Sequence, residues 1–189
     1  MIIQKIQKNK IYIENSDEVI EISPDIRMMF LLKDGKDISN DYEDIIYEAA
    51  FSKGAYLLGL KERTKKELYE KLVEKYKYKK SILKAVERLE ELGYVNDVSY
   101  AMNYIINKKF GNQRLIFELK NRGISKENID LAFEELSENN EDNIEDEKLE
   151  KAIRKINKKD ENKLVMYLVR QGFKLDKIYS KLREIKENE

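Results

Sequence analysis

Apolar residues recur along most of the chain with the spacing of one helical face. Leucine pairs four residues apart occur at Leu68 and Leu72, Leu115 and Leu119, and Leu164 and Leu168. After the last two pairs, Gly123 and Gly172 predict helix ends, because glycine reaches the left-handed backbone conformation without strain. A pattern that recurs about every fifty residues predicts an array of small helical units, none of which buries its apolar face alone.

The first 22 residues have a different pattern, in which apolar and polar positions alternate. The alternating apolar residues are Ile11, Ile13, Ile20 and Ile22. Because a turn sequence, residues 15–17 (NSD), separates the two runs, we predict a β-hairpin, and Ile2, Ile3 and Ile6 are candidates for a further strand. Pro24 then predicts a short helix from Asp25 to Leu32, since proline suits the first helical turn.

From residue 40 onward the pattern predicts only helices. Asn40 with Glu43, and Thr64 with Glu67, form capping-box patterns at helix starts. Two further residues that can cap a helix N-terminus are Ser125 and Asp160. The predicted fold class is mainly α: tandem three-helix repeats (three repeats, nine helices) that form an elongated curved array, with a small N-terminal β-hairpin extension.

We place the N-terminal extension at residues 1–39 and the three repeats at residues 40–95, 96–137 and 148–189. An acidic, apolar-poor segment at residues 138–147 is predicted to be a solvated linker before a helix from about Asp146 to Asn157. We expect the third repeat to reorient on this linker.

The amino-acid composition excludes several classes of function. The 37 Lys and Arg residues balance the 37 Asp and Glu residues, which argues against a polyelectrolyte partner for the whole molecule but leaves local patches open. The chain has no Cys and no His, so disulfides, the common zinc sites and His- or Cys-based catalysis are excluded. No apolar run approaches the ~20 residues needed to span a bilayer. We therefore expect a cytoplasmic protein without cofactor, metal or catalytic site.

Several motifs occur in a specific order between about residues 49 and 182. They are LEELGYVND (residues 89–97) followed by Tyr100-Ala101, GNQRL (residues 111–115), RGI (residues 122–124), and the segment from Lys163 to Phe173. Together they resemble the RecX family, bacterial regulatory proteins of the RecA recombinase. The helix from Thr64 to Leu72 matches the family's entry into its first repeat. The sequence departs from the family at Tyr76-Lys77, where a glycine and an aromatic residue are usual.

The resemblance implies a non-enzymatic modulator made of tandem three-helix repeats. Such a protein binds RecA nucleoprotein filaments in their helical groove and inhibits RecA ATPase, strand exchange and coprotease activity. Some family members also bind DNA, so single- or double-stranded DNA is a second candidate partner, and we expect a monomer without membrane contact. Two alternatives stay open: a helical DNA-binding module that acts on recombination indirectly, and a structural repeat scaffold for an unrelated protein.

Charge is uneven along the chain, with ten bases against four acids between Lys61 and Lys84 and six bases against Glu118 alone between Lys108 and Lys126. A solvated, salt-bridged helix face accounts for any single lysine, but the clusters predict a surface for an anionic groove. We call this predicted surface the basic stripe. Its residues are Lys65, Lys66, Lys75, Lys108, Lys109, Arg114, Lys120 and Arg122.

Two further predictions concern this surface. Reversing the charges of Lys109, Arg114 and Arg122 is expected to leave folding nearly intact, because exposed charges contribute little to stability. Phe117 and Met166 hold the same repeat position, off the leucine face. They either pack between repeats or serve as apolar anchors for a partner.

Overall fold

The computed structural model describes residues 1–138, 144–155 and 160–187. The chain forms two compact units, residues 1–96 (unit 1) and 97–189 (unit 2). Within the described residues the elements are β1 (Ile3–Gln7), β2 (Lys10–Ile13), β3 (Val19–Glu21), α1 (Pro24–Met29), α2 (Tyr42–Leu60), α3 (Lys65–Val73), α4 (Lys79–Glu91), α5 (Asp97–Asn107), α6 (Asn112–Asn121), α7 (Lys126–Glu138), α8 (Ile144–Lys155), α9 (Glu161–Arg170) and α10 (Leu175–Glu187). No described helix is both long and apolar enough to cross a membrane.

Unit 1 begins with an antiparallel sheet in the order β1-β2-β3. β2 and β3 form the predicted hairpin with Ile11 opposite Ile20, and β1 adds a third strand with Ile6 opposite Ile11. Because side chains alternate across a strand, these isoleucines share one face, and Ile11 and Ile20 are fully buried. The predicted mainly helical fold with a small N-terminal β-hairpin is thereby confirmed.

The sheet and helices α1–α4 share one hydrophobic core. Helices α2 and α4 approach closely at Gly54, where an added Cβ would lie only 2.6 Å from Leu89 Cδ1. Helix α1 is capped by Ser23 and ends at Met29, so it is shorter than the predicted span to Leu32. The N-terminal extension is therefore part of the same packed body as the first three long helices.

Of the two helix caps predicted in unit 1, one is present in the structure and the other is not. The Thr64 hydroxyl accepts a hydrogen bond from the Glu67 backbone N–H at 3.1 Å, which confirms the cap of α3. The predicted cap at Asn40 is wrong. Helix α2 begins at Tyr42, and the N-cap residue before it, Asp41, is in a helical conformation without a side-chain capping bond.

Unit 2 contains two groups of three helices, and each group has its own cluster of buried side chains. The α5–α7 cluster includes Leu115 and Leu119, and the α8–α10 cluster includes Leu164 and Leu168. Both predicted caps are present: Ser125 accepts from Asn128 N–H at 3.1 Å, and Asp160 accepts from Lys163 N–H at 3.3 Å. The leucine pairs thus mark the core face of the middle helix in each group.

The predicted acidic linker, residues 138–147, is only partly a connection. Helix α7 continues through Glu138, and residues 144–147 form the first turn of α8. The side chain of Glu145 is buried, and its carboxylate is satisfied there by a hydrogen bond from the Asn112 backbone N–H at 2.8 Å and an ion pair with Lys177 at 2.9 Å. Solvation is therefore the wrong prediction for Glu145, whereas Glu147 is exposed as predicted. Residues 139–143 lie outside the described residues.

The N-terminus of α6 meets the C-terminus of α9. Gly111 N–H donates to the Gln171 carbonyl at 2.9 Å, and Gln113 N–H donates to the Gly172 carbonyl at 3.2 Å. We call this contact the α6–α9 junction. An added Cβ at Gly111 would lie 2.3 Å from the carbonyl carbon and oxygen of Gly172, so no larger residue fits. The junction contradicts the expectation that the third helix group reorients relative to the second.

Candidate partner-binding surface

The basic stripe falls in both compact units. Lys65, Lys66 and Lys75 lie on or just after α3 in unit 1. The other five cations, from Lys108 to Arg122, lie in unit 2 on and around α6. That all eight form one continuous partner-binding surface stays a prediction.

The unit 1 subset is paired with carboxylates. Lys65 forms an ion pair with Glu90, Lys66 Nζ lies 3.9 Å from Glu70, and Lys75 Nζ lies 3.6 Å from Glu21. Two of these three partners come from distant parts of the chain, so the local excess of bases in the sequence overstates the positive charge here. Exposed pairs of this kind contribute little to stability.

Two stacked tyrosines support the cations of unit 2. Tyr100 and Tyr104, one helical turn apart on α5, have ring centroids 6.3 Å apart and are nearly buried. The Arg122 guanidinium lies 5.1 Å from the Tyr104 centroid and 5.9 Å from that of Tyr100, and Lys108 Nζ lies 5.2 Å from Tyr104. Cations over aromatic rings are attracted to the ring face. Arg122 and Lys108 are therefore held in defined positions at the surface.

Glu118, the acid within this basic segment, is tied into the same arrangement. Its carboxylate accepts hydrogen bonds from the Tyr104 hydroxyl and, at 2.9 Å, from Arg114 Nε. Partial burial alone would raise the pKa of Glu118, but these hydrogen bonds and the charges of Arg114 and Arg122 bring it below its ordinary value. Burial and the bond to Glu118 raise the pKa of Tyr104. Both groups thus keep the protonation states that this network requires at neutral pH.

Arg114 is a structural residue of the α6–α9 junction. Its guanidinium carbon lies 3.7 Å from the Phe110 ring centroid, and Nη1 donates to Gln171 Oε1 at 3.1 Å. If Gly172 carried a side chain, the added Cβ would lie only 2.5 Å from the Cβ of Arg114. The expectation that reversal of Arg114 leaves folding intact is therefore wrong, because that change places a carboxylate beside Glu118 and removes a junction contact.

The remaining members of the predicted surface are exposed. Lys109 follows α5 and Lys120 lies on α6, and neither has an ion-pair partner among the described residues. Phe117 is 64% exposed and Met166 is 60% exposed. Both side chains are therefore exposed, and the choice between inter-repeat packing and partner anchoring stays a prediction.

Sequence reasoning missed the tyrosine support and the junction. Tyr100 and Tyr104 carry a signal, because residues four apart on a helix share a face, and Lys108 continues that spacing by one more turn. Nothing local to Gly111 indicates its partners, which are about sixty residues away. Within the described residues, no group of three or more acidic side chains is arranged to hold a metal ion.

The fold and this surface define a class: a mainly helical protein of three-helix groups that presents fixed cations at its surface. Sequence comparison gives the family. A regulatory protein RecX from Clostridium acetobutylicum is 32% identical, with 96% of this chain and 92% of that protein covered. A regulatory protein RecX from Caldanaerobacter subterraneus subsp. tengcongensis is 30% identical over 79% of this chain and 80% of that protein. The chain belongs to the RecX family of regulatory proteins. No family model matches it.

Solved structures share the fold. A crystal structure of regulatory protein RecX has a TM-score of 0.61 at 19% identity and covers 95% of this chain and 97% of that one. RecX from Lactobacillus salivarius has a TM-score of 0.62 at 22% identity and covers 75% of this chain and 97% of that one. The first of these similarities covers nearly the whole chain.

Proposed function

We propose that the protein binds RecA nucleoprotein filaments in their helical groove and inhibits RecA ATPase, strand exchange and coprotease activity without being an enzyme. Membership in the RecX family and the resemblance of its motifs support this proposal. The observation that carries it is the fixed position of Arg122 and Lys108 over Tyr100 and Tyr104. A preorganised cation loses less conformational entropy on binding, which favours recognition of an anionic groove.

The site residues that we propose to contact the partner directly are the exposed ones. Lys109 and Lys120 provide charge, and Phe117 and Met166 provide apolar contact. Arg122 and Lys108, which lie over the rings of Tyr100 and Tyr104, also contact the partner. Arg114 does not contact the partner but holds this surface in place. We place the protein in the cytoplasm as a monomer.

The test is the DNA-dependent ATPase of RecA titrated with the wild-type protein and with a Lys109→Glu, Lys120→Glu double variant. The variant is expected to fold normally, because both side chains are exposed. The concentration needed for half inhibition is expected to rise by about tenfold or more, since like charges then face the anionic groove. A matched control is Lys174→Glu with Arg183→Glu, two exposed cations of unit 2 outside the basic stripe, which should inhibit like wild type.

Three outcomes separate the proposals. No inhibition by wild-type protein in excess would remove RecA as the target. Inhibition that is equal for the double variant and the control would place the contact elsewhere on the molecule. Tight, strongly salt-dependent binding to naked DNA without any dependence on RecA would favour the alternative, a helical DNA-binding module that acts on recombination indirectly.

A further inference from the structure

Lys148 is a half-buried cation on α8 whose hydrogen-bond partner is a backbone carbonyl. Its ammonium donates to the carbonyl of Ile105, in the last turn of α5. That carbonyl is the one acceptor that the described part of the chain offers it, and no described carboxylate forms an ion pair with it. Because an ammonium carries three N–H donors, two of them have no acceptor among these residues. The charge of Lys148 is therefore poorly compensated for its burial.

The acid one helical turn before Lys148 is already engaged by other groups. This acid is Glu145, whose carboxylate accepts a hydrogen bond from the Asn112 backbone N–H at 2.8 Å and pairs with Lys177 at 2.9 Å. Lys177, on α10, has a second acidic partner, because Asp146 lies 3.1 Å from its Nζ. Lys177 is thus paired twice, whereas Lys148 faces a backbone carbonyl.

Burial without an acidic partner favours the neutral amine of Lys148. Burial lowers the pKa of Lys148 to about 8, although the charge of Glu145 acts in the opposite direction. Helix α5 contributes a carbonyl rather than a charge to this contact. At about pH 7.5, roughly a quarter of the molecules then carry a neutral amine, compared with about one in a thousand for an exposed lysine with a pKa of about 10.4. The neutral amine is the nucleophilic form of lysine.

A cavity lies beside this contact. It has a volume of about 190 Å³ and an apolar wall formed by Ile105, Phe133, Leu136 and Ile144. Ile105 supplies both part of the wall and the carbonyl that Lys148 contacts. Ile144 lies four residues before Lys148 and shares a helix face with it. Since a cavity of about 150 Å³ is large enough to hold benzene, there is room beside Lys148 for a short acyl group.

We propose that Lys148 is a modification site, at which a small acyl phosphate transfers its acyl group to Nζ. The amine nitrogen attacks the acyl carbon and forms an N–C bond. The bond from that carbon to the phosphate oxygen breaks, inorganic phosphate leaves with the electron pair, and the amine proton passes to solvent. The resulting amide keeps one N–H for the Ile105 carbonyl, and its acyl group occupies the cavity. The proposal does not rest on inhibition of RecA, since Lys148 lies outside the basic stripe.

The experiment incubates the full chain with acetyl phosphate at about pH 7.5 and follows the acetylation of each lysine by mass spectrometry. Lys151 is the internal reference, because it lies on the same helix with its side chain 76% exposed. Lys148 is expected to be acetylated about tenfold faster than Lys151, since its larger neutral fraction outweighs its lower basicity and its partial burial. In urea that unfolds the chain, the rate at Lys148 should fall to that at Lys151.

Loss of the charge should also change stability. A buried charge without a partner destabilises the folded state, and Lys148→Gln removes that charge as acylation does. We expect this variant to raise the melting temperature at neutral pH by about 2–4 °C. Lys151→Gln is the matched control, because it removes an exposed charge of the same helix and should change the melting temperature little.

Other results would overturn the proposal. Equal acetylation rates at Lys148 and Lys151 in the folded protein would show that the environment of Lys148 does not activate its amine. A rate at Lys148 that rises on unfolding in urea would show that the fold protects this lysine instead. A lower melting temperature for Lys148→Gln would show that the folded protein depends on the charge that acylation removes. The acetylation assay contains no RecA, so its outcome is distinct from that of the inhibition assay.

Discussion

Replacing Gly111 with alanine is expected to open the α6–α9 junction. The new Cβ would lie 2.3 Å from Gly172 C and O and 2.4 Å from Phe173 N, all of them backbone atoms. Backbone cannot rotate away as a flexible side chain does, so the helix ends must separate. Gly111 itself has φ −71°, which alanine adopts without strain, so the effect comes from contact alone.

The loss of stability caused by Gly111→Ala can be calculated from the hydrogen bonds that hold the N-terminus of α6 in the junction. Two backbone bonds, from Gly111 and Gln113, contribute about 1 kcal/mol each, and the bond from Asn112 to the Glu145 carboxylate contributes about 1.5–3 kcal/mol. Alanine recovers about 0.4–1 kcal/mol by restricting the unfolded chain. We therefore expect the junction to lose about 3 kcal/mol of stability.

Native-state hydrogen exchange measures this loss directly. A loss of about 3 kcal/mol should speed exchange of the Asn112 and Gln113 amides by about a hundredfold. The control is Gly59→Ala, because Gly59 lies in α2 with open space around its Cβ, and this change should stabilise α2 by about 0.5 kcal/mol. Unchanged protection of Asn112 and Gln113 in the Gly111→Ala variant would refute the expected opening of the junction.

Two further predictions concern single side chains. Thr64→Ala removes the cap of α3 and should lower the free energy of unfolding of unit 1 by about 1–2 kcal/mol, as measured by urea titration. Thr64→Ser keeps a hydroxyl at this position and should retain most of that stability. Equal losses for both variants would refute capping as the cause. Burial lowers the pKa of Lys148 from 10.5 to about 8, and its ammonium donates to the Ile105 carbonyl. Because the unfolded chain then binds more protons between about pH 8 and 10.5, the contribution of Lys148 to stability should rise with pH across that window and stay constant below it. Urea midpoints of wild type and Lys148→Met at pH 7 and pH 10 measure this difference, and parallel pH dependence would contradict it.

Sequence predicted features that depend on near neighbours. The caps at Thr64, Ser125 and Asp160 were recognisable because a cap involves residues only three positions apart. The leucine pairs identified the core faces for the same reason, since one helical period decides which side is buried. Asn40 shows the limit of such signals. It has the right sequence context, but the chain turns into α2 one residue later, at Asp41.

Features that depend on distant parts of the chain could not be predicted. Glu145 looks like one more acid of a solvated segment, yet folding places it against Asn112 and Lys177, which bury and pair it. The same holds for Arg114, which counts as a surface charge until Gln171 and Gly172 are brought beside it. Lys75 also has its partner, Glu21, more than fifty positions away.

The groups that bond to the first amides of a helix can be near in the sequence or far from it, and this affects the order in which the protein folds during synthesis. Helix α3 carries its own cap in Thr64 and is complete as soon as unit 1 has left the ribosome. Helix α6 instead depends on the Gln171 and Gly172 carbonyls, which are translated about sixty residues after Gly111, or about 3–12 s later at typical bacterial elongation rates. During that interval the amides of Gly111 and Gln113 lack the two carbonyls that they bond to in the folded protein. A chain that terminates before Gln171 would keep this helix end open permanently, so nascent chains should acquire the bond from Arg114 to Gln171 only when α9 arrives.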